Sequence, residues 1–292
     1  MIKKQRTPFY VKLFTLIIRI RENEKKSADN LITSFKYKYY IFRDRARTIL
    51  GLYAAKFIFS KEKEVIEFLS SCYQNRRASH AQLFQDVLAH FISPKTHGFF
   101  VEFGATDGYF LSNTYFLEKQ FFWKGILAEP AKTWSKKLKI NRGACSIDFR
   151  CVWSRSGEQI DFVEDTLPEI SGVSTMLDKK RMSGNSSSYL VNTVSLIKLL
   201  DEHQAPKYID FISIDTEGSE FQILEHFDFS RYQFGLITVE HNYQIEKREK
   251  LLSLLSKNHY QRIFQNLSAE DDWYVASSRA VKSFPEAQVV AR

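Results

Sequence analysis

A chain of 292 residues, 44% hydrophobic and 15% aromatic, is long enough for one full domain with extensions and apolar enough to bury a large core. Eleven glycines and six prolines exclude collagen-like and low-complexity architectures, and Cys72, Cys145 and Cys151 form neither a disulfide framework nor a zinc-ligand spacing, so a reducing, cytoplasmic setting fits. The net charge of +8 is concentrated: residues 1–50 carry thirteen Lys and Arg against four acids, leaving residues 51–292 at −1 and without the basic face that phosphate binding wants.

The first apolar stretch, Pro8–Ile20, is interrupted by Lys12 and Arg19, and its longest uncharged run, Leu13–Ile18, is far short of a bilayer span. No small-residue cleavage site follows Ile20 before the charged stretch Arg21–Lys26, which argues against a secretory signal. Two readings stand for this basic segment: a helix docked on the body by its apolar side, or a peripheral contact of residues 1–26 with the cytoplasmic face of a membrane. Residues 27–96 have helical periodicity, with helices expected over Glu64–Tyr73 and Ala81–Ile92, until Pro94 and Gly98 break the pattern.

A strand–helix alternation then begins. Strands are expected at Gly98–Phe103, Gly125–Glu129, Ile147–Trp153, Gln159–Val163, Tyr208–Asp215, Phe234–Glu240, Tyr260–Asn266 and Asp272–Ala276. Helices are expected at Leu111–Gln120, Lys132–Ile140, Leu196–Glu202, Phe221–Phe227 and Glu246–Asn258. Asp165–Asn192 reads as a loop or lid over the strand ends, with Lys179, Lys180 and Arg181 available to a phosphate on an activated or lipid-linked sugar. Repeated β-α units imply a doubly wound, mostly parallel α/β sheet, and the tightly joined last two strands imply an antiparallel edge. The chain thus divides into a basic helical extension (1–70), an α/β domain (71–278) and a C-terminal tail (279–292).

In such a sheet, ligands bind beyond the carboxyl ends of the strands. Four of those ends here are acidic or polar: Glu102 with Asp107, Glu129, Asp215 with Glu217, and Glu240-His241-Asn242. The turn Gly104-Ala105-Thr106-Asp107-Gly108 suits a nucleotide-type ligand. It lacks the middle glycine through which a backbone approaches a pyrophosphate, and its carboxylates repel phosphate, so a cationic, phosphate-free ligand such as S-adenosylmethionine is preferred over NAD. The plainer alternative is that Gly104 and Gly108 only permit a tight turn, with Asp107 capping a helix. Glu129, 21 residues after Gly108, can accept hydrogen bonds from ribose hydroxyls. Ser219 and Gln222 satisfy a capping box, which leaves Asp215, Glu217 and Glu220 crowded in one turn, as a catalytic base or a metal site would require.

The segments Phe100–Gly108 (FVEFGATDG), Leu127–Pro130 (LAEP), Ser174-Thr175-Met176 and Asp210–Leu224 (DFISIDTEGSEFQIL) resemble the FkbM-type family of class I S-adenosylmethionine-dependent methyltransferases; Ser79–Leu88 (SHAQLFQDVL) resembles a stretch often found just upstream in that family. The resemblance covers about residues 79–276. It implies a seven-stranded Rossmann-like sheet and methyl transfer to a hydroxyl of a sugar, glycan or similar small acceptor. It also implies a cofactor site of Glu102, Gly104, Ala105, Thr106, Asp107 and Gly108 at the methionine end, Glu129 at the ribose, Val152 and Trp153 near the adenine, and Asp215 facing the methyl group. Asp215, Glu217 and His241 are the candidate general bases. A divalent metal on Asp215, Glu217, Glu220 and His241 is the less favoured reading. The alternatives are a nucleic-acid methyltransferase, supported by the basic extension and opposed by the neutral body; a binding protein that keeps the fold without turnover; and a nucleotide-sugar oxidoreductase, opposed by the missing glycine.

Overall fold

The computed structural model describes residues 63–165, 171–177 and 185–277. The basic segment of residues 1–26, Lys179, Lys180, Arg181 and the tail after residue 277 lie outside the described residues. Among these, residues 63–77 with 264–269 form one compact unit, and residues 78–263 with 270–277 form the other. In the first, helix α1 (Lys63–Asn75) buries Phe68 and Cys72, and the Phe68 and Phe264 rings stack with centroids 5.1 Å apart. No helix among the described residues is long and apolar enough to cross a membrane.

The second unit opens with helix α2 (Gln85–Ile92). Strand β1 (Phe99–Phe103), helix α3 (Tyr115–Phe121), strand β2 (Lys124–Ala128), helix α4 (Ser135–Asn141) and strand β3 (Ser146–Asp148) follow. After an insertion come helix α5 (Leu196–Glu202), strand β8 (Tyr208–Ile214), helix α6 (Glu220–Glu225), strand β9 (Gln233–Glu240), helix α7 (Ile245–Lys257) and strands β10 (Tyr260–Ile263) and β11 (Asp271–Ala276). The main sheet has the order β10-β11-β9-β8-β1-β2-β3. All neighbours are parallel except β11, which runs antiparallel to both β9 and β10 and therefore lies one place in from the edge that β10 occupies.

Strands β1, β8 and β9 are buried on both faces, which is why they read as continuous apolar runs. One face is set by Val101, Phe103, Ile126, Ile212, Ile214, Ile237 and Val239, which pack on Leu199 and Leu200 of α5, Ile223 and Leu224 of α6, and Leu251 and Leu255 of α7. Side chains alternate along a strand, so Glu102, Ser213 and Thr238 share the opposite face. The strand order reverses between β1 and β8, which opens a crevice at their carboxyl ends.

The insertion is a second sheet that the sequence reading did not anticipate. It has the order β4-β7-β5-β6, formed by strands β4 (Cys151–Trp153), β5 (Gln159–Asp165), β6 (Gly172–Val173) and β7 (Ser186–Ser195). The expected single strand Ile147–Trp153 is broken after Asp148: its carboxylate accepts from the Arg150 backbone N–H at 2.9 Å and from the Arg150 guanidinium, and the chain turns out of the main sheet. The expected loop over residues 165–192 instead contains β6 and most of β7. The serine-rich start of β7 is held by antiparallel pairing with β5, from Asp165↔Ser186 to Gln159↔Asn192. Ala131, Cys151, Phe162, Val173 and Val191 form the second sheet's own core.

Helix α3 starts later than its apolar pattern suggests, because Ser112, Asn113 and Thr114 are drawn out of helical geometry to serve Glu102. The Ser112 hydroxyl, the Asn113 backbone N–H (2.6 Å) and the Thr114 hydroxyl all donate to its carboxylate. Arg142, just past α4 and with no exposed surface, completes this knot. Its guanidinium donates to Glu118, to the Gly108 carbonyl (3.1 Å), to Ser112 Oγ (3.0 Å) and to Thr114 Oγ1 (2.9 Å), and lies 3.8 Å from Glu102. Removing one partner of a buried pair strands the other's charge. Arg142→Leu is therefore expected to lower unfolding free energy by about 3–5 kcal/mol, read as a lower urea midpoint at unchanged slope; an unchanged midpoint would contradict the assigned role.

Candidate active site

The glycine-rich turn after β1 is shaped by two close approaches. Gly104 (φ +69°) presses on the end of β8, where a Cβ would stand 2.0 Å from the Asp215 carbonyl oxygen. Gly108 (φ +74°) lies against Arg142, where a Cβ would stand 2.4 Å from Cγ. Both positions demand glycine for conformation and for space. Between them, the Gly104 and Ala105 backbone N–H groups donate to the Ala128 carbonyl of β2, and Asp107 Oδ1 accepts from the Tyr109 and Phe110 N–H groups at 2.9 and 2.7 Å. Asp107 therefore closes a local turn, four residues before the expected start of a helix that in fact begins at Tyr115.

Glu129, at the end of β2, accepts from the Thr106 N–H (2.9 Å) and the Ala131 N–H (2.8 Å), one on each oxygen, and so ties the glycine turn to the second strand end. Burial raises its pKa to about 7 against the pull of those two hydrogen bonds. Beside it is a cavity of about 320 Å³ lined by Pro130, Ala131, Lys132, Phe149, Arg150 and Leu190, among others. Val152 and Trp153, the residues expected near an adenine, do not line it: Val152 is buried in the main core and Trp153 packs into the core of the second sheet. Phe149, at the point where the chain leaves β3, stands there instead. Glu102, expected to line the cofactor, is 2% exposed and held by the Arg142 knot. Burial raises its pKa, opposed by the Arg142 charge and the three hydrogen bonds.

The third and fourth strand ends converge. In register, Ile214 pairs with Val239, so Asp215 and Glu240 follow side by side at the crest of the sheet. Carboxylate oxygens of Asp215, Glu217 and Glu240 lie within 4.8 Å of one another. Burial, and then the neighbouring carboxylates, push the pKa of Asp215 and Glu240 well above the ordinary range. Asn242 Nδ2 donates to Glu240 Oε2 at 2.5 Å and to Glu217 Oε2 at 3.5 Å. Glu217 (φ 56°), Asn242 (φ 49°) and Tyr243 (φ 57°) all occupy left-handed backbone geometry, a costly conformation for residues with a Cβ.

Two sequence candidates are not part of this cluster. Glu220 is buried at the start of α6, where Oε1 accepts from the Thr216 and Gly218 N–H groups and Oε2 accepts from Lys247 Nζ at 2.7 Å. It ties down the turn before the helix, and Ser219 at the helix N-terminus makes no capping bond: its hydroxyl donates to Thr216 Oγ1. His241 has no exposed surface and both ring nitrogens are engaged: Nε2 donates to the Asp271 carbonyl at 3.0 Å and Nδ1 accepts from the Tyr243 N–H at 2.9 Å. That pairing fixes the neutral tautomer, and burial lowers the pKa to about 4 although Asp272 pulls the other way. His241 is therefore a loop anchor with no nitrogen free to take a proton. Glu240 takes the place of Glu220 and His241, and only strand register reveals it. The Ser79–Leu88 stretch braces the same edge: Asp86 accepts from Ser79 Oγ (2.7 Å) and the His80 N–H, Gln82 donates to Glu270, and Gln85 donates to Asp271.

The glycine turn and the buried Glu129 lie at the ends of β1 and β2, and three clustered carboxylates lie at the ends of β8 and β9, on either side of the point where the strand order reverses. Among solved structures, the chain is similar to precorrin-6y C5,15-methyltransferase from Geobacter metallireducens GS-15, at 10% identity and TM-score 0.34 over 61% of this chain and 70% of that one. It is also similar to the CurJ carbon methyltransferase, at 9% identity and TM-score 0.35 over 80% of this chain and 70% of that one. No curated protein matches the sequence. A model of the methyltransferase FkbM domain matches residues 102–270. That segment begins at Glu102, ends at Glu270 and takes up more than half of the chain, so the protein belongs to the FkbM family and is a methyltransferase.

Proposed function

We propose that the protein transfers a methyl group from S-adenosylmethionine to a hydroxyl of a sugar, glycan or similar small acceptor. The observation that carries this reading is the Asp215–Glu217–Glu240 cluster at the carboxyl ends of two strands, next to a glycine turn whose Gly104 presses on the Asp215 backbone. The donor set fits the cofactor. Glu129 keeps acceptor capacity beyond its two backbone hydrogen bonds and suits a ribose diol. The cavity beside it has room for a purine, with Pro130, Phe149 and Leu190 as apolar walls and Lys132, Ser135, Arg150 and Asn192 as polar ones. The buried carboxylates favour a cation and oppose phosphate. When bound, the cofactor supplies a methyl group activated by a sulfonium.

The chain's own work is positioning and proton removal. A water-poor crevice that holds the acceptor oxygen in line lowers the barrier by fixing the reacting geometry. A hydroxyl is a weak nucleophile, so a carboxylate oxygen would take its proton as it attacks the methyl carbon, with the S–CH₃ bonding pair left on sulfur in the neutral thioether S-adenosylhomocysteine. Asp215 and Glu217 are the groups assigned to receive it. The raised proton affinity of Asp215 makes it a stronger base than an exposed aspartate.

A charge-assisted hydrogen bond gives Glu129→Gln an expected loss of about 10- to 100-fold in S-adenosylmethionine affinity by calorimetry. Glu129 accepts best when ionised, so wild-type affinity is expected to rise as pH passes upward through about 7 and to flatten over that range in the Gln variant. Equal affinities would defeat the ribose assignment. Asp215→Asn is expected to leave cofactor affinity within about twofold and to lower turnover by roughly 10²–10⁴-fold; unimpaired turnover would remove Asp215 from the reaction. The acceptor class is tested by comparing glycans and metabolites from cells with and without the gene, looking for species heavier by one CH₂ that depend on it.

A further inference from the structure

The carboxylate turn after β8 is flanked on two sides by segments that neither the cofactor nor the proton transfer uses. On one side, the second sheet delivers the turn Ser174-Thr175-Met176. Gly218 (φ +128°) abuts it so closely that a Cβ would stand 2.6 Å from the Met176 carbonyl oxygen, and a Cβ on Gly172 would lie 3.4 Å from Glu217 Cβ. The turn is held by backbone hydrogen bonds from Ser174 N to the Asp161 carbonyl and from Met176 N to the Val173 carbonyl, both 2.9 Å. Among the described residues the Ser174 and Thr175 hydroxyls have no hydrogen-bond partner, and Thr175 is exposed. On the other side, Asn242 reaches Glu217, and the next residue, Tyr243, exposes 63% of its surface. The Tyr243 backbone is left-handed and its N–H donates to His241, while the hydroxyl at the end of its ring donates to Glu270 Oε2 at 3.2 Å. Glu217 thus has the hydrogen-bonded Ser174–Met176 turn on one side and Asn242, followed in sequence by the exposed Tyr243, on the other.

Resting on the methyl-transfer reading, we infer that these two flanks form the acceptor subsite and that it takes a pyranoside. The Tyr243 ring would cover the C–H face of the sugar, and Ser174, Thr175 and Glu217 would pair with its hydroxyls. An aromatic ring packs against weakly polarised C–H bonds while neighbouring hydroxyls and carboxylates satisfy a polyol's many donors. Flanks already held by hydrogen bonds keep the ordering cost of binding low. His241, through Tyr243, is a positioning residue of this subsite.

The test uses full-length protein saturated with S-adenosylhomocysteine, probed by saturation-transfer NMR with methyl α-D-glucopyranoside, methyl α-D-mannopyranoside and methyl α-L-rhamnopyranoside. At least one glycoside is expected to bind through its ring protons. Tyr243→Ala and Thr175→Ala are expected to weaken that binding by roughly five- to tenfold, and Tyr243→Phe to retain it within about twofold, with S-adenosylhomocysteine affinity unchanged in all three. If the wild-type protein binds S-adenosylhomocysteine but none of the glycosides, or binds a glycoside equally well in both alanine variants, the subsite is overturned while the cofactor reading stands. A parallel loss of S-adenosylhomocysteine affinity in the variants would assign these residues to the cofactor side and overturn it as well. Failure of the wild-type protein to bind S-adenosylhomocysteine at all would instead bring down the methyl-transfer reading on which the subsite rests.

Discussion

One guanidinium with no exposed surface organises the first strand end. Arg142 comes from the far side of helix α4, yet it reaches Glu118 of α3, the carbonyl that closes the glycine turn, two hydroxyls of the loop before α3 and the neighbourhood of Glu102. A buried positive charge needs that many partners, and a buried Glu102 needs a nearby cation and several donors. Satisfying both fixes the path of residues 102–118 and the level at which the glycine turn meets Asp215. Glu102 is therefore read best as a structural carboxylate, and the acids left for chemistry are those farther along the crest.

Those acids carry an electrostatic tension. Asp215, Glu217 and Glu240 crowd together while the nearby Lys247 is engaged with Glu220. The chain relieves part of this by directing the Asn242 amide into two of the carboxylates, at the cost of two consecutive left-handed residues. Raised proton affinity of Asp215 and Glu240 is the remaining consequence, and it suits groups that take up a proton.

Much of this was legible in the sequence, for identifiable reasons. Helix α5 falls at the expected residues because its apolar spacing and its boundaries agree. Strands β1, β8 and β9 fall within a residue of expectation because doubly buried parallel strands are unbroken apolar runs. The second sheet was hidden because Ile147–Trp153 contains no glycine or proline to mark the break that Asp148 and Arg150 create, and because Ser186–Ser188 has the composition of a loop. His241 looked like a base because sequence gives no account of burial, and Glu240 was missed as a partner of Asp215 because their adjacency depends on the β8–β9 register. The capping box at Ser219 matched the pattern, but the Ser219 hydroxyl turns back to Thr216 Oγ1 and makes no cap.

Both sheets end in unusually short strands. β3 and β10 border the main sheet with three and four residues, and β4 and β6 border the smaller one with three and two, while the longest strand, β7, is an interior one. Exposed strand edges are templates on which other chains can add. A protein with two sheets has four such borders, and here each offers only a few unpaired backbone groups. Among the described residues, the inserted sheet therefore adds no long unpaired border on which another strand could grow.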